Sequence, residues 1–104
     1  MTGEQLYSRF KTKMQKIADV RFASAVLQWD QETCMPPAGA QARGSQIATL
    51  SEISHRMFTE EDTRRILEEL AGRDDLNDKQ KRNVALTLKD LEREEKLQIG
   101  RAHV

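Results

Sequence analysis

The chain of 104 residues has little of what most often reveals a protein's class. One cysteine excludes an internal disulfide framework and favours a reducing compartment. Seventeen basic and seventeen acidic residues cancel, so no net charge attracts nucleic acid or an anionic membrane. No apolar run approaches the roughly 18 residues of a membrane span. With 5% aromatic and 33% charged residues, the composition is typical of solvated helices around a thin core.

The amino-terminal segment carries no targeting signal. Its sequence, MTGEQLYSRFK, is polar from the start and lacks the apolar centre of a secretory signal peptide. The sequence therefore predicts a cytoplasmic protein that binds neither nucleic acid nor membrane.

What the chain does contain is helical periodicity. Apolar residues spaced by three to five predict a first amphipathic helix that ends near Trp29. The side of this helix that we expect to be buried consists of Leu6, Phe10, Met14, Ile17, Phe22, Ala25 and Val26. Small residues at 39, 40 and 42 allow a second helix to start close to the first. It ends near Phe58, and its apolar face is Ile47, Leu50, Ile53, Met57 and Phe58.

Two shorter helical patterns follow. Thr59 is the predicted cap of a third helix, with acidic residues in its first turn, Ile66, Leu67 and Leu70 on its buried side, and Gly72 as its stop. Asn77 or Asp78 is the predicted cap of a fourth helix carrying Val84, Leu88 and Leu91. With no strand signal and no fixed repeat, the sequence predicts one all-α unit of about four amphipathic helices.

The segment from Val26 to Leu50, VLQWDQETCMPPAGAQARGSQIATL, is too specialised for a generic loop. Trp29 is followed by Asp30 and Glu32, and a double proline then prevents the first helix from continuing. We expect Trp29 to be a wedge that packs the first two helices together, with its indole N–H bonded locally. We call this segment, where the chain turns from the first helix into the second, the corner. Hydrogen bonds at the corner account best for Asp30, Glu32 and Thr33.

This segment resembles the amino-terminal region of the thermostable carboxypeptidase 1 (carboxypeptidase Taq) family of metallocarboxypeptidases. The resemblance lies in the order Trp29, Asp30, Glu32, Thr33, Met35, Pro36, Pro37, Ala42, Arg43, Gln46, Ala48, Thr49, Leu50 and His55. Upstream it includes Ile17 and Ala18-Asp19, and it continues weakly to about residue 98. Cys34 and Arg56 depart from the family's pattern, since a larger side chain and an acidic residue are usual there.

The resemblance implies an amino-terminal piece of a larger all-helical enzyme that removes carboxy-terminal residues from peptides. Such an enzyme holds a divalent metal, zinc or cobalt, with HExxH, whose glutamate is the general base for a metal-bound water. This chain has no HExxH. The family further implies that these helices form a wall or lid of the substrate groove and a homodimer contact.

The residues of this chain that could carry chemistry have simpler interpretations. Cys34, His55 and His103 could supply three metal ligands but lie on different segments without a recognised spacing. Asp30 and Glu32, two apart, point to nearly opposite sides of a helix, which disfavours an acid–base pair. Cys34 has no adjacent basic residue that would activate its thiol, and Met14, Met35 and Met57 suit a core. We therefore predict no catalytic, cofactor-binding or metal-binding residue in this chain.

The last residues do not fit the helical pattern. Gly100 is expected to break the fourth helix, and Ile99 to Val104 resemble one translated frame of a sequencing adapter. The predicted organisation is therefore a helical region of a metallocarboxypeptidase at 1–98 and a non-native tail at 99–104. The alternative is a stand-alone helical module that binds a protein partner through an apolar face.

Overall fold

The computed structural model describes residues 1–33 and 39–102, with side chains described as far as Lys96. These residues form four helices and no strand, namely α1 (Gly3–Thr33), α2 (Ala40–Thr59), α3 (Glu61–Ala71) and α4 (Asp78–Ala102). The prediction of an all-α chain of about four helices is confirmed. No helix in the described part of the chain is long and apolar enough to cross a membrane.

The helices divide between two compact units. Unit 1 comprises Met1–Lys13 and Phe58–Val104, and unit 2 comprises Met14–Met57. Unit 1 contains α3, α4 and the first part of α1. Unit 2 contains the rest of α1, the corner after it and most of α2.

Unit 1 holds most of the buried apolar side chains. The predicted faces of α3 and α4 are largely confirmed, since Leu67 and Leu70 are almost fully buried and only Leu88 is half-buried. Tyr7 packs on Phe10 with ring centroids 5.4 Å apart and accepts a hydrogen bond from Asn83. The apolar core of unit 1 is Leu6, Tyr7, Phe10, Phe58, Ile66, Leu67, Leu70, Leu76, Val84 and Leu91.

Unit 2 has a much thinner apolar core. Ile17 is buried as predicted. Phe22 and Val26 are 72% and 46% exposed and Ala25 is exposed as well, which contradicts their expected burial. On α2, Ile53 is 40% exposed, and Ile47, Leu50 and Met57 are half-buried. The periodicity correctly predicts that these segments are helical. It does not predict which apolar side chains are buried, because burial depends on the elements that pack against the helix.

The helix ends agree with the sequence in part. Asn77 caps α4 as predicted, and Gly72 ends α3 with its N–H on the Glu69 carbonyl. The predicted Thr59 cap of α3 is wrong. Thr59 is the last residue of α2, and Glu60 stands at the N-cap, with extended backbone and no hydrogen bond from its side chain to the helix.

Two other ends lie beyond the predicted positions. Helix α1 continues four residues past Trp29 to Thr33, still before the double proline. The predicted break at Gly100 is wrong, because α4 continues through it to Ala102. A single glycine costs a helix only about 1 kcal/mol, and no proline follows it to prevent the next turn.

Candidate functional site

The corner between α1 and α2 in unit 2 is the candidate site, because the distinctive residues of the sequence meet there. Arg43 on α2 donates from Nη1 to Asp30 Oδ2 on α1 at 2.7 Å. Gln31 Nε2 donates to the Ala40 carbonyl at 3.2 Å. These two hydrogen bonds connect the last turn of α1 to the first turn of α2, which come before and after residues 34–38 in the sequence.

Serine side chains make the next contacts between the two helices. The buried Ser24 hydroxyl lies 3.2 Å from the Ser51 hydroxyl and 3.5 Å from the Ile47 carbonyl oxygen. Serine is short enough to let the backbones of two helices approach. The described hydrogen bonds between α1 and α2 thus come from serine, from glutamine and from one pair of opposite charges.

Trp29 does not occupy the expected position. Its side chain is 63% exposed, so the prediction of a buried wedge between the first two helices is wrong. Its carbonyl oxygen accepts a hydrogen bond from the Thr33 hydroxyl at 2.8 Å, one helical turn later.

The two carboxylates of the corner are separated by the helix that carries them. Asp30 points to Arg43, whereas Glu32 is exposed two residues further along α1. The explanation of Asp30 and Thr33 by local hydrogen bonds at the corner is confirmed. The partner Arg43 was not predicted, although opposite charges on the two sides of a helical corner are a usable signal.

The remaining candidate residues do not form a metal site in the described part of the chain. Cys34, Met35 and His103 lie outside the described residues, and His55 is half-buried on α2. Among the described residues, no group of three His, Cys, Asp or Glu side chains could hold a metal ion.

A cationic and acidic cluster lies in unit 1. Lys13 donates to Asp62 at 2.8 Å and also to Glu60, and Arg9 lies 3.8 Å from Asp62. Burial opposes the charge of Lys13, but these hydrogen bonds outweigh it and raise its pKa. The bond from Lys13 lowers the pKa of Asp62. The cluster places negative charge at the amino terminus of α3, where the helix dipole favours it.

Asp75 is the centre of a second group of hydrogen bonds in unit 1. Its carboxylate accepts from Arg73 Nε and from the Gly3 N–H, both at 2.9 Å. These bonds lower the pKa of Asp75 from 3.8 to about 2. A Cβ added at Gly3 would overlap this carboxylate, so a larger residue there would displace the Asp75 side chain from its present position.

A half-open cavity of about 280 Å³ lies between α3 and α4. Buried Leu70 and Val84 form its apolar floor, and Arg73, Asp74 and Lys81 lie at its edge. Arg73 donates hydrogen bonds to Asp75.

Comparison with known proteins agrees with this architecture. The model of the family described as carboxypeptidase Taq (M32) metallopeptidase matches residues 9–102. The chain therefore belongs to the carboxypeptidase Taq (M32) metallopeptidase family, as the resemblance of its corner predicted.

One solved structure, described as "The Structure of CHT", is 49% identical to this chain and superposes with a TM-score of 0.85. The match covers 88% of this chain and 19% of that protein's chain, so this chain spans about a fifth of its relative. No curated protein matches the chain significantly.

Proposed function

We propose that this chain is the amino-terminal part of a metal-dependent carboxypeptidase that removes carboxy-terminal residues from peptides. The observation that carries the proposal is the family match over residues 9–102 in a sequence without HExxH. The metal ligands and the general base of the parent then lie outside this chain.

The proposed role of these helices is structural. In the parent they form a wall or lid of the peptide groove, and a homodimer contact is proposed for the same region. Zinc is the proposed metal of the parent, with cobalt as the alternative, because the chain belongs to a family of metallopeptidases. The cytoplasm is the proposed location, and the single cysteine of the chain is in keeping with a reducing compartment.

Sequencing the source DNA through the codons for Leu97 to Val104 and onward tests the proposal. We expect the open frame to continue past Gln98 into a long helical sequence that contains HExxH. That result would also identify residues 99–104 as a non-native tail if the codons for Ile99 to Val104 are absent from the source. A genuine stop codon after Val104 would refute the enzyme assignment for this chain.

An assay of the 104-residue protein tests the same proposal from the side of activity. We expect no release of carboxy-terminal amino acids from peptides when the protein is incubated with Zn²⁺ or Co²⁺. Metal-dependent release that survives repurification would show that the chain holds its own catalytic centre and would contradict the proposal.

A stand-alone interaction module is the second candidate function. The exposed apolar side chains of α1 in unit 2 favour it, because such surfaces often bind partners. The same DNA read separates the two functions, since the module requires the stop codon after Val104.

A further inference from the structure

Three large apolar side chains of α1 are exposed in unit 2. Phe22 is 72% exposed, Val26 46% and Trp29 63%. Their spacings of four and three place them on one side of the helix. We call these three residues the α1 stripe.

Helix α2 does not cover the α1 stripe. Ser24, Asp30 and Gln31 make the described hydrogen bonds between α1 and α2. At 3.6 residues per turn, position 24 points almost opposite to positions 22 and 26. Helix α2 therefore packs on the other side of α1, and the side that contacts α2 is the more polar one.

The area of the α1 stripe is small for a dimer interface. Burial of an aromatic side chain removes about 150–250 Å² from water, and a valine removes less. The three side chains thus fall short of the roughly 800 Å² that each partner buries in a stable complex. A second copy of this chain would need a larger surface than the stripe offers.

The comparison with the solved relative indicates a different occupant. That protein is 49% identical over the match, superposes with a TM-score of 0.85, and has about four fifths of its chain outside the match. A polypeptide of that length can supply further helices against the outer side of α1.

We propose that the α1 stripe is the surface on which the remainder of a carboxypeptidase Taq-family polypeptide packs, so that α1 is buried on both sides in the whole protein. The inference rests on the proposed function, because it takes this chain as one part of such a protein.

The test uses a chimera in which this chain replaces the matched fifth of the solved relative. Hydroxyl-radical footprinting read by mass spectrometry, at concentrations too low for the 104-residue chain to associate, reports the exposure of Phe22 and Trp29 in that chain and in the chimera. We expect oxidation of both residues to fall severalfold in the chimera. Equal oxidation in the two proteins would overturn the proposal. A discrete dimer of the 104-residue chain that already protects Trp29 would also overturn it, because the occupant would then be a second copy.

Substitutions separate docking from simple loss of a buried side chain. Trp29→Ala should leave the helix content of the 104-residue chain unchanged but lower the unfolding temperature of the chimera. Leu86→Ala is the matched control, since Leu86 is 55% exposed on α4 in unit 1. A fall in unfolding temperature no larger than that of the control would contradict a specific role for the α1 stripe.

Peptidase activity of the same chimera distinguishes this inference from the proposed function. An active chimera with Trp29 still exposed refutes the docking surface alone. If the solved relative releases carboxy-terminal residues from peptides and a chimera with a protected Trp29 does not, the proposed function alone is refuted.

Discussion

At the scale of single residues, Asp75 should control part of the acid sensitivity of unit 1. Its pKa is lowered from 3.8 to about 2 in the folded chain by Arg73 and the Gly3 N–H. A group with a lowered folded pKa adds stability above its unfolded pKa, and this stability is lost as pH falls through the folded pKa. We expect Asp75→Asn to flatten the fall in free energy of unfolding between pH 3.8 and 2, measured by urea titration at stepped pH.

The control for this prediction is the neighbouring Asp74→Asn, which changes an exposed carboxylate outside this group of hydrogen bonds. It should keep the pH dependence of the unsubstituted chain. Equal slopes in all three proteins would show that the contact between Asp75 and Gly3 does not persist in solution.

The pair of Asp30 and Arg43 is the second residue-scale contact with a measurable effect. The Arg43 side chain is 21% exposed and that of Asp30 39% exposed, so solvent screens the pair only in part. A double-mutant cycle with Asp30→Ala and Arg43→Ala should give a coupling free energy of about 0.5–1 kcal/mol, measured by urea unfolding.

The matched control is the pair of Glu52 and Arg56 on α2, whose side chains are 67% and 72% exposed. Its coupling should be smaller, because both charges remain in water. If the coupling free energy of Asp30 and Arg43 is no larger than that of the control pair, this ion pair does not stabilise the contact between α1 and α2.

At the scale of helices, the start of α4 depends on a reciprocal cap. Asn77 Oδ1 accepts from the Gln80 N–H at 2.8 Å, and Gln80 Oε1 accepts from the Asn77 N–H at 2.9 Å. Asn77→Ala removes the first bond and should lower the free energy of unfolding by about 1 kcal/mol. Asn77→Asp keeps the acceptor and should be nearly neutral, as should the exposed Lys79→Ala nearby. Chemical denaturation of the three variants checks this, and equal losses would exclude the cap as the cause.

Local signals in the sequence were enough to predict most helix positions. The spacing of Ile66, Leu67 and Leu70, and the cap residue Asn77, depend only on neighbours within one or two turns. Glu60 displaced the predicted cap Thr59 because α2 runs one residue further and the two helices follow each other directly. Such a junction depends on packing, which periodicity does not contain.

Contacts between residues that are far apart in the sequence could not be predicted from it. The bond from Gly3 to Asp75 joins residues 72 apart, and the bond from Asn83 to Tyr7 joins residues 76 apart. No spacing rule relates such pairs. The corner was recognised as special from Trp29 and the double proline, but the exposure of Trp29 depends on what covers α1, which lies outside local pattern.

At the scale of the whole molecule, we expect the 104-residue chain to be marginally stable and to self-associate. Exposed apolar side chains of Phe22, Val26 and Trp29 favour open-ended association without fixed stoichiometry. Sedimentation velocity over a range of concentrations should show growing species. Phe22→Gln should reduce them, whereas the control Leu86→Gln on α4 should have a smaller effect. A clean monomer that unfolds cooperatively at all concentrations would contradict this prediction.

Unit 1 is discontinuous in sequence, since Met1–Lys13 and Phe58–Val104 are separated by the whole of unit 2. During synthesis the first turns of α1 therefore leave the ribosome long before Asp62, Asp75 and Asn83, their later partners, are made. Closing so long a loop costs entropy before any contact repays it. The pair of α3 and α4 can form from local contacts, and we expect the start of α1 to join it afterwards. The nascent chain must thus keep the apolar residues Leu6, Tyr7 and Phe10 unpartnered until roughly three quarters of the sequence has emerged.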